Sequence, residues 1–228
     1  AVLAQTWNEG LLEEVGRAIS REMVEYGCTY WLAPAVNIHR NPLCGRNFEY
    51  YSEDPRLTGL LAAAITRGVQ SEPGLYVTVK HFACNNQEDN RNFVPSNVSE
   101  RALREIYRRA FAYPVRLGKA RSIMTSYNRL NGVYTPNSRD LCTVALRQEW
   151  GFDGVVMTDW YSTNPRQGHN ALALAAGNDL IMPGGWYFKK QILWGLRTGK
   201  LSRQQLRTCC ANVVKSIFSS PTQREYIG

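Results

Sequence analysis

The sequence predicts an α/β protein built on a parallel sheet, and two features of its pattern predict this class. Strand-like apolar runs and amphipathic helical segments alternate about five times along the 228 residues. The apolar runs are continuous rather than alternating with polar residues, which is typical of strands covered on both faces. Hydrophobic residues make up 44% of the chain and charged residues 20%, which are proportions of a folded domain.

Helices and strands can be assigned in order from these patterns. Asn8 is suited to cap the first helix, because its side chain can accept a backbone hydrogen bond there. The first apolar run contains Pro34, which predicts that this strand ends and opens into a polar loop. In the first part of the chain we predict helix 8–26, strand 29–35, helix 55–70, strand 75–82, helix 99–117 and strand 122–127.

The second part of the chain continues the same alternation. Gly151 and Gly154 separate a helical segment from the next apolar run. Here we predict helix 139–150, strand 155–159, helix 168–176, strand 179–182 and two closing helices, 186–198 and 202–218. The chain has no glycine-rich turn of the dinucleotide-binding or P-loop type, so nucleotide binding at such a turn is not predicted.

The net charge of +8 raises the question of a polyanionic partner. In the densest basic segment, Arg101, Arg104 and Arg108 recur at helical spacing beside Glu100 and Glu105. We interpret this segment as a solvated helix face rather than a phosphate-binding stripe, and we predict no nucleic-acid partner. No apolar run approaches the ~18–20 residues of a membrane-spanning helix, so no membrane association is predicted.

The six cysteines form no C-x-x-C pair and no histidine-spaced cluster. We therefore predict reduced, mostly buried thiols, no disulfide framework, no metal site and no cofactor. Nothing in the first residues resembles a signal peptide, which together with the thiols favours the cytoplasm, although the chain does not begin with Met.

Polar residues cluster where the predicted strands end. In a (β/α)8 barrel the carboxyl ends of the strands meet at one mouth, where the active site lies. Four successive strand ends with polar residues therefore predict a shared pocket. The residues are Asn37, His39 and Arg46 after the first strand, Lys80 and His81 on the second, Ser126, Tyr127 and Asn128 on the third, and Asp159 and Trp160 on the fourth.

Asp159 is the strongest catalytic candidate, because it follows the buried run Gly-Val-Val-Met-Thr. Taken alone, it could equally cap the segment that follows. Nearby cations at Arg46, Lys80, His81 and Arg91 would favour its ionised form. A charged carboxylate beside donors for sugar hydroxyls and an aromatic ring suits the nucleophile of a glycosidase.

Four stretches carry a resemblance to a known family. The stretch 32–55 reads LAPAVNIHRNPLCGRNFEYYSEDP, 80–88 reads KHFACNNQE, 124–132 reads MTSYNRLNG and 151–160 reads GFDGVVMTDW. These stretches resemble the barrel domain of glycoside hydrolase family 3, in its β-glucosidase branch, and the similarity extends over about 4–219. The resemblance implies a (β/α)8 barrel of which 1–219 forms the C-terminal portion, followed by a tail over 220–228.

The resemblance also implies an activity. The chain would belong to a retaining exo-acting β-glucosidase in which Asp159 attacks the anomeric carbon and forms a glycosyl-enzyme ester. Arg46, Lys80, His81 and Arg91 match positions that hold the hydroxyls of the terminal sugar. Tyr127 matches the residue beside the nucleophile, and Trp160 matches the aromatic residue near the cleavage point.

The chain also departs from parts of the family pattern. The N-acetylglucosaminidases of this family carry a Lys-His-Phe-Pro-Gly-His-Gly type of loop, whereas Phe82 is followed here by Ala-Cys-Asn-Asn, which disfavours that activity. The resemblance implies that about three barrel strands, a sugar-binding Asp and the acid/base Glu lie outside this sequence. We expect Glu88 to be structural, and we expect a second polypeptide to supply the missing strands and the acid/base.

Alternative functions follow from the same residues. A β-xylosidase or another β-glycosidase of the family would use the same nucleophile on a different sugar. A non-catalytic carbohydrate-binding chain is the alternative of a different class, because no acid/base residue is assigned within the sequence. Arg46 could also pair with Glu49 or Glu53 instead of a sugar, and Tyr127 could simply fill the mouth of the barrel.

Overall fold

The computed structural model describes residues 1–164, 166–221 and 223. Its main sheet is parallel and has the strand order β1-β2-β4-β7, and a small second sheet has the order β3-β5-β6. The strands are β1 (Tyr30–Trp31), β2 (Tyr76–Phe82), β3 (Pro95–Ser96), β4 (Ser122–Thr125), β5 (Arg129–Leu130), β6 (Val133–Tyr134) and β7 (Val155–Met157). The predicted α/β class with a parallel sheet is confirmed.

Helices connect the strands of the main sheet. The α-helices are α1 (Glu9–Glu25), α2 (Pro55–Val69), α3 (Glu100–Ala102), α4 (Arg109–Arg116), α5 (Asn170–Ala176), α6 (Trp186–Arg197) and α7 (Arg203–Phe218). Asn8 caps α1 as predicted, because its Oδ1 accepts the Leu11 N–H at 3.0 Å. Asp54 caps α2 in the same way, with Pro55 at the first helical position.

The core lies between the sheet and these helices, and it includes the buried residues Leu61, Ile65, Val79, Phe111 and Ile123. Helices α1 and α2 cross closely where each carries a glycine. A Cβ atom on Gly68 would lie 2.1 Å from the Glu13 carbonyl oxygen, so this contact requires glycine. The crossing anchors the helices that lead into β1 and β2.

The strand predicted over 29–35 is much shorter than its apolar run. Only Tyr30 and Trp31 pair with β2, and one further bridge joins Ala35 to Lys80. Pro34 interrupts the ladder because it has no N–H to donate, although its carbonyl oxygen still accepts the Lys80 N–H at 3.0 Å.

The prediction of a strand over 179–182 is wrong. A single bridge joins Leu180 to Met157, and the segment forms no continuous strand. The backbone N–H of Met182, two residues further on, donates to the side chain of Thr158 at 2.9 Å instead of continuing the ladder. The segment nevertheless lies beside β7, at one edge of the described sheet.

Two predicted helices contain π-helical turns. The predicted helix 99–117 is α3, a π-helix over Leu103–Tyr107 and α4, and most of the predicted helix 139–150 is a π-helix over Asp140–Glu149. The Arg108 N–H donates to the Leu103 carbonyl at 2.8 Å, five residues back. The apolar pattern predicts these helices but not their winding.

The charged helix face is only partly solvated. Arg101 pairs with Glu105 at 3.1 Å, and Arg104 pairs with Glu149 at 3.0 Å, as expected for an ion-paired surface. The prediction is wrong for Arg108, which is buried and pairs with Glu149 at 2.6 Å.

The prediction that most thiols are buried is confirmed, because four of the six free cysteines are buried. Of the predicted tail, residues 222 and 224–228 lie outside the described residues.

Candidate active site

Asp159 lies two residues beyond the end of β7 and is 8% exposed. The Trp160 N–H donates to its Oδ1 at 2.7 Å, which fixes one oxygen of the carboxylate. Its Oδ2 lies 3.7 Å from Nε2 of His81. The Ser162 hydroxyl donates to the Asp159 carbonyl at 2.9 Å and braces the backbone of the turn. Asp159 is therefore a buried carboxylate with one anchored oxygen.

His81 is buried on β2 and is held by a side chain from the segment after β1. The Asn37 side-chain amide donates to the His81 carbonyl at 2.9 Å, and its oxygen accepts the His81 N–H at 2.8 Å. This paired contact replaces a step of the strand ladder and fixes the imidazole opposite Asp159. The His81 Nδ1 atom is buried and has no partner among the described residues.

Lys80 and Arg46 share one carboxylate, that of Glu49. Arg46 donates through Nε to Oε1 of Glu49, and Nζ of Lys80 lies 3.8 Å from Oε2. All three side chains are mostly buried. The alternative pairing of Arg46 with Glu49 is therefore present in this structure. The pair lies within the site because Glu49 also contacts Lys80, which precedes His81 on β2.

Arg91 joins the site from the loop after β2. Its guanidinium lies 4.5 Å from the centre of the Tyr127 ring, and Nη1 pairs with Glu88 at 2.7 Å. Glu88 also accepts a hydrogen bond from Asn85 at 3.2 Å, so it makes the structural contacts expected of it. The Tyr127 hydroxyl donates to the Trp160 carbonyl at 2.7 Å and links the ends of β4 and β7.

The exposed rim of the site is aromatic. Trp160 is 49% exposed, and Tyr161 packs edge-on against it with ring centres 6.3 Å apart. An exposed aromatic ring beside a buried carboxylate suits the apolar face of a sugar ring.

Burial dominates the electrostatics of the site. It raises the pKa of Asp159 above 3.8, although the Trp160 N–H, Tyr127 and the guanidinium groups of Arg46 and Arg91 act to lower it. Arg46 and Arg91 thus act on Asp159 in the expected direction, but burial outweighs them. The cause is that Asp159 is screened from water more completely than the sequence could indicate.

Burial has the opposite effect on the basic groups. It lowers the pKa of His81 well below 6.5, and the positive charges of Arg46, Lys80 and Arg91 lower it further. The imidazole is thus neutral at neutral pH. Burial also lowers the pKa of Lys80, while Glu49 acts against this effect.

Four residues predicted for the pocket hold the backbone through side-chain hydrogen bonds instead. Asn37 holds the backbone of His81, and His39 contacts the Asn47 carbonyl at 3.1 Å. The Ser126 hydroxyl and the Asn128 amide both donate to the carbonyl of Ala83, at 3.1 and 3.2 Å. These contacts join the strand ends to each other and position the turn that follows His81.

One residue of the site was not predicted as a ligand or catalyst. Glu49 was considered only as a competing partner of Arg46, whereas it contacts both Arg46 and Lys80. The spacing of three residues between Arg46 and Glu49 is a signal for the first contact, but the contact with Lys80 depends on the tertiary fold.

Within the described part of the chain, no group of three or more His, Cys, Asp and Glu side chains is placed to hold a metal ion. In the same residues, no helix combines the length and apolar character needed to cross a membrane.

The fold and this site define an α/β protein with a buried carboxylate among cations at the ends of its parallel strands, and similarity to known proteins identifies the family. Residues 1–215 match the Glycosyl hydrolase family 3 N terminal domain. The chain therefore belongs to glycosyl hydrolase family 3, as the motifs of the sequence predicted.

Individual relatives support this assignment. The chain is 42% identical to a beta-glucosidase of Ruminococcus albus, over 100% of this chain and 25% of that protein. It is 46% identical to an exo-alpha-(1->6)-L-arabinopyranosidase of Bifidobacterium longum, over 90% of this chain and 26% of that protein. The solved structure of beta-glucosidase 3B from Thermotoga neapolitana in complex with glucose superimposes with a TM-score of 0.92 at 50% identity, covering 98% of this chain and 32% of that one.

The chain thus spans about a quarter of the length of these curated relatives and about a third of the solved structure. The relatives contain further segments that have no counterpart in this sequence.

Proposed function

We propose that this chain forms the sugar-binding and nucleophile-bearing part of a retaining, exo-acting β-glucosidase. The observation that carries the proposal is the surroundings of Asp159: a buried carboxylate, anchored at one oxygen, with Arg46, Lys80, His81 and Arg91 gathered near it. The glucose complex of the Thermotoga neapolitana enzyme supports glucose as the bound sugar.

The reaction would proceed in two displacements at the anomeric carbon. In the first, the Oδ2 atom of Asp159 forms a bond to the anomeric carbon as the glycosidic C–O bond breaks. The departing oxygen takes a proton from a carboxylic acid outside this chain. In the second, water attacks the same carbon, the ester bond to Asp159 breaks, and the acid/base group accepts the proton of the water.

The surrounding side chains have separate roles in this proposal. Arg46, Lys80 and Arg91 donate hydrogen bonds to hydroxyls of the terminal sugar, and His81, being neutral, can either donate or accept. Tyr127 keeps its proton because burial and the charge of Asp159 raise its pKa. Trp160 covers the sugar from the rim.

The main sheet would be one part of a (β/α)8 barrel. β1 lies at one edge of the described sheet and the Leu180 bridge at the other, and strands follow each other between them in chain order. Open edges and an uncovered apolar face are unfavourable in water, and barrel closure removes them. We propose that a second segment or polypeptide supplies the remaining strands and the acid/base, and we call the combination the assembled protein.

A second candidate function is carbohydrate binding without catalysis. The contacts of the two other carboxylates in the site favour it: Glu49 pairs with Arg46, and Glu88 pairs with Arg91. In the part of the chain that the structure describes, neither is free to act as the acid.

The experiment that separates the two functions is Asp159→Asn in the assembled protein, with an aryl β-glucoside as substrate. We expect hydrolysis to fall below a few per cent of the wild-type rate, while Asp153→Asn, a matched change at an exposed carboxylate, leaves the rate unchanged. Substantial activity in Asp159→Asn would refute the nucleophile assignment, and an inactive wild type that binds glucose would favour the second function. Aryl β-xyloside, β-galactoside and α-L-arabinopyranoside, tested in parallel, identify the sugar.

A further inference from the structure

Glu49 lies between two of the cations in the candidate site and uses a different oxygen for each. Its Oε1 accepts a hydrogen bond from Nε of Arg46, and its Oε2 lies 3.8 Å from Nζ of Lys80. Arg46 belongs to the loop after β1, and Lys80 belongs to β2. One carboxylate therefore ties a loop cation to a strand cation.

The way Arg46 is held leaves most of its donors available. The contact with Glu49 uses Nε, and the two terminal nitrogens make no hydrogen bond to the described residues. A guanidinium fixed through Nε presents its terminal N–H groups as a fork in a set direction. Such a fork suits two adjacent hydroxyl groups, provided that its orientation is fixed before the sugar arrives.

The carboxylate also offsets a repulsion. Arg46 and Lys80 are both largely buried, and each acts to lower the pKa of neighbouring basic groups. Two like charges that approach the same carboxylate would separate if it were removed, because repulsion is strong where water is excluded. Glu49 supplies the counter-charge, because one of its carboxylate oxygens faces each cation.

Neither Glu53 nor Glu88 takes this place. Glu53 is exposed and forms no ion pair with a described residue. Glu88 influences the pKa of Arg46 but pairs with Arg91 at 2.7 Å. The bridging position belongs to Glu49.

We propose that Glu49 is a positioning residue of the sugar site: its carboxylate fixes Arg46 and Lys80 side by side in the arrangement that binds adjacent hydroxyls of the terminal sugar. This inference rests on the proposed function only in that the ligand is a sugar. It assigns to Glu49 a role in ligand affinity rather than in bond cleavage.

The role has a consequence for pH dependence. Lys80 faces Glu49, Arg46 and Asp159, and it neighbours the neutral His81. Burial lowers its pKa, Arg46 lowers it further, and Glu49 and Asp159 act to raise it. Removing the charge of Glu49 would lower the pKa of Lys80 again, so Lys80 would lose its proton at a lower pH.

The test compares Glu49→Gln, Glu49→Asp and the control Glu53→Gln in the assembled protein. Glucose affinity is measured by isothermal titration calorimetry across the neutral and alkaline range, and aryl β-glucoside hydrolysis is measured on the same samples. We expect Glu49→Gln to weaken glucose binding about 10- to 100-fold, because a hydrogen bond between charged groups no longer orients Arg46. The alkaline limb of the affinity profile should move to lower pH.

The other variants make the result specific. Glu49→Asp keeps the charge but is shorter, so affinity should fall while the alkaline limb stays near its wild-type position. Glu53→Gln should match the wild type in both respects. If Glu49→Gln does not fold, Glu49→Asp alone tests the proposal: glucose affinity should fall while the alkaline limb stays in place.

The outcomes distinguish this inference from the proposed function. If Glu49→Gln leaves both the glucose affinity and the alkaline limb unchanged, the positioning role is overturned, even if the wild type hydrolyses the glucoside. A wild type that binds glucose without hydrolysing it, with affinity lost in Glu49→Gln, would refute the glucosidase and support the role of Glu49. A wild type that does not bind glucose would overturn both.

Discussion

Replacing Asn37 by alanine should destabilise the site, because the Asn37 side chain joins the segment after β1 to the backbone of His81 through two hydrogen bonds. They measure 2.9 and 2.8 Å, and both partners are buried. The substitution would leave a buried N–H and a buried carbonyl unsatisfied, at a cost of about 1–3 kcal/mol each. We therefore expect the free energy of unfolding to fall by about 2–6 kcal/mol, which is a large part of an ordinary protein's stability.

Urea unfolding of the assembled protein, followed by tryptophan fluorescence, measures this change. The matched control is Asn41→Ala, at an exposed asparagine whose side chain accepts one local hydrogen bond, where we expect less than about 1 kcal/mol. The aryl-glucosidase rate should also fall in Asn37→Ala, because His81 is no longer fixed opposite Asp159. A midpoint for Asn37→Ala equal to that of the control would refute the claim that Asn37 supports the site.

Two further predictions concern the charge of the site and the open sheet. Arg46→Gln should move the acid limb of kcat/KM to higher pH, because Arg46 lowers the pKa of Asp159 and the nucleophile must be ionised; an unmoved limb would show that the two groups do not interact. The isolated 25.9 kDa chain should self-associate or unfold in sedimentation experiments, because the sheet edges at β1 and Leu180 have no strand partner among the described residues. A stable folded monomer would contradict this.

The sequence pattern predicted the helices and the central strands well, for a physical reason. Amphipathic periodicity and continuous apolar runs reflect burial, and burial determines where α1, α2, β2 and β4 lie. The same pattern overestimated β1 and the strand at 179–182, because apolar residues can be buried without pairing in a ladder. The small second sheet was missed, although Asn131 and Gly132 both adopt positive φ in its hairpin turn, where an Asn-Gly pair is a known signal.

The sequence pattern predicted which side chains gather in the candidate site, but not the contacts between them. Strand-end position brought Asp159, Lys80 and His81 to one cluster, as expected of parallel strands. The scaffold role of Asn37 and the shared contact of Glu49 depend on distances between residues far apart in the chain. The balance between burial and nearby charge at Asp159 likewise depends on solvent exclusion, which only the folded structure determines.

The measurement that tests the central claim most directly is the identification of the residue that carries the sugar during turnover. A 2-deoxy-2-fluoro β-glucoside with a good leaving group slows both displacements, because the fluorine destabilises positive charge at the neighbouring carbon, and the reactive leaving group lets the covalent intermediate accumulate. After digestion, mass spectrometry should find one deoxyfluoroglucosyl unit on the peptide that contains Asp159 and none in Asp159→Asn. A label on any other residue, or hydrolysis without a covalent intermediate, would contradict the account.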